Sequence, residues 1–137
     1  MRTKLAVLSV SASLFLLVAS ADAHHSFAAE FDIKSPVKLR GTVTKMDWYN
    51  PHSWIHIDVK GPDGKIVNWM IEGGSPNALL RLGFNKSALP PGSEVVVDGF
   101  QAKDGSNRAV GQSIEFADGR KLFLGGSAPG THSETDK

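Results

Sequence analysis

Ser53 to Glu72 restricts the fold more than any other stretch. It alternates with a period of two on both sides of Gly61-Pro62-Asp63-Gly64. Ile55, Ile57 and Val59 share one face, and Trp54, His56 and Asp58 share the other. On the return run, Val67, Trp69 and Ile71 oppose Ile66, Asn68 and Met70. A helix cannot bury such a pattern, whereas two strands joined by a Gly/Pro/Asp turn can.

The same grammar extends outward. Val37, Leu39, Gly41 and Val43 lie in phase, with Thr42, Thr44 and Met46 opposite, which predicts a first strand from Val37 to Trp48. Gly41 inside it predicts a bulge or bend. Further strands are expected at Glu94–Phe100, Arg108–Phe116 and Lys121–Leu124, separated by turns at 104–107 and 118–119. One helix interrupts them. Ser75 is a natural N-cap, Pro76 suits the first helical position, Asn77 to Leu82 carries Ala78, Leu79, Leu80 and Leu82, and Gly83 suits a left-handed end. The expected fold is mainly β: a small OB-fold-like barrel of five to six strands, with one short helix between strands 3 and 4. A small open sandwich is the alternative.

The first 23 residues stand outside this pattern. Arg2 and Lys4 precede an apolar run from Leu5 to Val18, followed by Ala19-Ser20-Ala21-Asp22-Ala23. A basic start, a short apolar core and small residues before a cut describe a secretory signal peptide. The run is shorter than a membrane span requires. Cleavage is expected after Ala23, making His24 the first residue; cleavage after Ala21 is the alternative. The expected organisation is a signal peptide at 1–23, an irregular arm at 24–36, the β domain at 37–124 and a flexible tail at 125–137. Export to the periplasm follows from it, with no membrane anchor after cleavage.

Charge and cysteine narrow the function. The chain has no cysteine, which excludes disulfides and thiolate metal sites. It carries 15 Lys+Arg against 14 Asp+Glu, and these balance once Arg2, Lys4 and Asp22 are removed. No excess positive charge draws it to nucleic acid. Neither a nucleophile elbow, a phosphate loop nor a dinucleotide fingerprint is present, so no enzyme activity is expected. Gly73-Gly74 before the helix could favour an anion but is better read as plain capping.

The histidines carry the one distinctive chemistry. His24 and His25 would open the processed chain, and His52 and His56 flank the second strand. A terminal histidine offers an amine and a ring nitrogen, a set suited to Cu(II), and a further imidazole would complete it. The copper candidates are therefore His24, His25, His52 and His56. The last two lie roughly 13 Å apart along a straight strand and cannot share one ion. A solvated role for His56 and a turn role for His52 are the plainer readings. Trp48 and Trp54, with Asp58, form a candidate ligand face for a metal-free adaptor that binds a peptide, glycan or periplasmic protein partner.

Four stretches together carry a resemblance. They are His24-His25-Ser26-Phe27-Ala28-Ala29-Glu30-Phe31-Asp32, Asn50-Pro51-His52-Ser53-Trp54-Ile55, Glu72-Gly73-Gly74-Ser75-Pro76-Asn77-Ala78-Leu79-Leu80-Arg81 and Lys103-Asp104-Gly105-Ser106-Asn107-Arg108-Ala109. In this order they resemble a family of small exported bacterial proteins classed only as a domain of unknown function. The resemblance implies export and an OB-like β-barrel, and it implies no activity, substrate or cofactor.

Overall fold

The computed structural model describes residues 27–130. Residues 1–26, which include the expected signal peptide, His24 and His25, and residues 131–137 lie outside the described residues.

Six strands form the chain's framework: β1 (Phe31–Asp47), β2 (Trp54–Lys60), β3 (Ile66–Glu72), β4 (Glu94–Ala102), β5 (Arg108–Phe116) and β6 (Lys121–Phe123). The sheet runs β3-β2-β1-β4-β5-β6. β3 also pairs in parallel with β5, through Met70 with Arg108, Ile71 with Ala109 and Glu72 with Val110. That extra pairing closes a ring of five strands, and β6 lies against the outside length of β5.

Local chemistry accounts for the connections. In the β2–β3 hairpin the Gly61 amide donates to the Lys65 carbonyl at 2.8 Å, and Gly64 takes a φ of 80° that glycine adopts without strain. Helix α1 (Pro76–Arg81) follows β3. The Ser75 hydroxyl accepts from the Ala78 amide at 3.3 Å, and Gly83 closes the far end at φ 85°. α1 inserts Leu79 into the main core, with Phe84 and Leu89 from the segment that follows. There they meet Val43, Ile55, Ile57, Ile71, Val97, Ala109, Ile114 and Leu124. Burial of each large side chain contributes about 1.5–3 kcal/mol.

A smaller cluster lies apart from this core. It joins Phe27, Phe31, Ala102, Val110 and Ala128, with Phe100 packed on it. Phe27 meets Phe100 edge-on at 5.7 Å. Residues 27–30 form a helical turn that carries Phe27. The Lys103 amide donates to the Glu30 carbonyl at 2.9 Å and ties this turn to the end of β4.

Four expectations are corrected here. The arm at 24–36 is not irregular throughout: β1 begins at Phe31, because Phe31 buries in the outer cluster and pairs with Ala102. The helical turn at 27–30 precedes it, so α1 is not the one helix. The tail is held as far as residue 130: Ala128 is buried, and Gln112 Nε2 donates to the Pro129 carbonyl at 2.7 Å. The bulge in β1 falls between Val43 and Lys45 rather than at Gly41. This shift turns Met46 inward against the core, reversing its expected face. Gly41 serves another need, since a Cβ there would lie 2.6 Å from the Asp58 carbonyl oxygen.

Candidate histidine–carboxylate site

One histidine precedes β2 and one lies within it, and each meets a different carboxylate. His52 lies in the loop before β2, and its Nδ1 is 3.2 Å from Glu72 Oε1 at the end of β3. Glu72 is directly opposite Trp54 in the β2–β3 register, so its side chain emerges beside the loop that holds His52. Ile71 points into the main core, and alternation turns Glu72 to the opposite side. The carboxylate is nevertheless buried, with the residue 3% exposed, whereas the His52 side chain is 34% exposed. His52 Nε2 has no partner among the described residues.

Burial pushes the Glu72 carboxyl above its ordinary value. The charge of His52 opposes this rise, that of Glu30 adds to it, and that of Arg108 opposes it. Glu30 stands in the 27–30 turn, and its Oε2 accepts from Arg108 Nη2 at 2.9 Å. The start of the described chain and the His52–Glu72 pair therefore belong to one electrostatic neighbourhood.

His56 belongs to a second pair. Its Nε2 lies 2.9 Å from Asp47 Oδ2, at the end of β1. Partial burial raises the Asp47 carboxyl, but hydrogen bonds from Lys45, His56 and Tyr49 and the Lys45 charge outweigh it and hold the group below its ordinary value. His52 and His56 thus face separate partners, in keeping with their spacing. No group of three or more His, Asp or Glu among the described residues is placed to hold a metal ion.

The aromatic face divides. Trp48 packs against the main core, so it does not stand beside Trp54 as an open platform. Trp54 is half-buried on the outer face of β2. Asp58 accepts from Asn68 Nδ2 at 2.9 Å, and it also borders a groove of about 500 Å³. Arg40, Lys60, Glu94 and Glu115 bring charges of both signs to that groove. The Gly73-Gly74 amides are taken: Gly73 donates to the Ser53 carbonyl and Gly74 to the Leu124 carbonyl.

Asp47, Asp58 and Glu72 are carboxylates on three neighbouring strands, β1, β2 and β3. The structure gives each a different neighbour: His56, Asn68 and His52 respectively. Strand register sets these neighbours, with Asp58 opposite Asn68, Glu72 opposite Trp54, and Asp47 opposite Trp54 on the other side. Glu30, Arg108 and Met70 were not singled out at all. A signal for Met70 existed, since it falls on the polar side of an alternating strand.

No curated protein and no solved structure is detectably similar to the chain. The model of DUF6152, a family of unknown function, matches residues 12–112, and the chain belongs to that family.

Proposed function

We propose that this chain is an exported binding protein that holds copper at the start of its processed form, with no catalytic turnover. Removal of residues 1–23 frees the His24 amine and imidazole for Cu(II), and His52 Nε2 supplies a further donor. His25 is the adjacent reserve donor. One observation carries this reading: His52 Nδ1 faces the buried Glu72, while Nε2 has no partner among the described residues. A carboxylate on one ring nitrogen is the usual companion of a metal on the other, because it fixes the tautomer and raises ligand basicity. The outer cluster includes Val110, which pairs with Glu72. Phe27 is anchored in the outer cluster, and the three residues back to His24 span at most about 10 Å. The ring order, closed by parallel β3–β5 pairing, supports an OB-like barrel as the scaffold.

Protein purified from the periplasm with its natural cut should carry about one copper per chain by elemental analysis. Processed protein that neither carries copper nor takes it up on titration would refute the proposal.

A metal-free adaptor is the second reading. The mixed-charge groove between Arg40, Lys60, Glu94 and Glu115 favours it, since such a lining suits a peptide more than an ion. Loss of the Trp48 platform weakens the aromatic form of that reading.

A further inference from the structure

We propose that His56 and Met70 form a site for a soft monovalent metal ion, of the Cu(I) or Ag(I) class, on the outer face of the β2–β3 hairpin. It uses none of the donors assigned to His24 and His52, so it stands independently of that reading.

His56 and Met70 are direct cross-strand partners. The Met70 amide donates to the Asn107 carbonyl at 3.1 Å, on the side of β3 away from β2. The His56–Met70 pair is therefore the non-hydrogen-bonded kind, in which side chains stand closest, with Cβ atoms about 4.5–5.5 Å apart. The next pair along, Asp58 and Asn68, does meet side chain to side chain at 2.9 Å, which shows that this face is in register.

The donors suit the ion. A thioether is a soft ligand and selects Cu(I) over hard cations, and imidazole accepts the same metal. Asp47 Oδ2 engages His56 Nε2, so the proton belongs on Nε2 and the lone pair on Nδ1. Nδ1 is the ring nitrogen nearer the strand backbone, and Met70 is the residue directly across from His56. A nitrogen–metal–sulfur bridge with bonds of about 2.0–2.3 Å matches the separation of such a pair. Met70 is 37% exposed and, among the described residues, belongs to neither apolar cluster, whereas Met46 packs against the main core. Trp54 is diagonal to Met70 and within reach of an aromatic ring, where its π face favours a cation.

Silver is the direct probe, because it needs no reductant. The processed full chain, titrated with silver nitrate in chloride-free buffer, should bind Ag(I) and lose tryptophan fluorescence as it does so. Met70→Leu preserves volume and should keep the fold, checked by its unfolding midpoint, while weakening silver binding by more than about tenfold. His56→Gln should act alike. Equal silver affinity in Met70→Leu and the unsubstituted protein would overturn the proposal. So would silver binding lost in His24→Ala but kept in Met70→Leu, a result that leaves the N-terminal copper reading standing.

Discussion

His52 Nδ1 lies 3.2 Å from Glu72 Oε1, and the carboxylate in this pair is the buried member. That inversion sets the electrostatics of the end of β3. A buried carboxylate resists ionisation, and a neighbouring imidazole relieves part of the cost.

Stability should therefore depend on pH through Glu72. Its carboxyl holds a proton to higher pH in the folded chain than in the unfolded one. The stabilisation from this proton is full below the ordinary carboxyl value and is lost as pH rises through the raised folded value. Denaturant midpoints for the unsubstituted protein and Glu72→Gln should diverge as pH rises above the ordinary carboxyl range, with the variant losing less stability. Parallel profiles would show that Glu72 ionises alike in both states.

The contribution of α1 can be isolated at Leu79, which is fully buried in the main core. Leu79→Ala should cost about 2–5 kcal/mol, read from chemical unfolding. A cost below about 1 kcal/mol would mean that Leu79 does not anchor α1 in the main core.

Gly99 tests the β4–β5 bulge. A Cβ there would collide with the Val110 carbonyl oxygen, which is backbone and cannot swing aside. Gly99→Ala should destabilise by about 1–3 kcal/mol, whereas Gly61→Ala, which meets its nearest side chain at 3.1 Å, should be milder. Similar unfolding midpoints for the two variants would argue against the close strand approach.

Phe27 links the fold to the proposed site. It packs edge-on to Phe100 and anchors the 27–30 turn that carries Glu30. Phe27→Ala should lower stability by about 3 kcal/mol, the low end for a buried ring. It should also weaken Cu(II) binding of the processed chain, because the terminal residues lose their tether. Unchanged copper affinity would separate the site from this anchor.

Much of the ring was legible where local rules act alone. The alternation of Ile55, Ile57 and Val59 and the turn at Gly61–Gly64 depend on neighbours in sequence, as does the Ser75 cap. What failed to show depends on distant partners. Met46 changes face because of a bulge that only the pairing with His56 and Ile55 defines. Phe31 becomes strand because Ala102 lies across from it. The candidate site was half visible: the histidines announce themselves by type, but Glu72 and Asp47 join them only through register. Trp48 misled, since an aromatic near a polar face reads the same whether it packs inward or outward.

Cu(II) titration of the naturally processed chain, beside His24→Ala and His52→Ala, tests the central claim most directly. Both substitutions should weaken copper binding by more than about tenfold while leaving the unfolding midpoint of the apo-protein within about 0.5 kcal/mol of unsubstituted stability. Copper affinity that is unchanged in both variants would contradict the account.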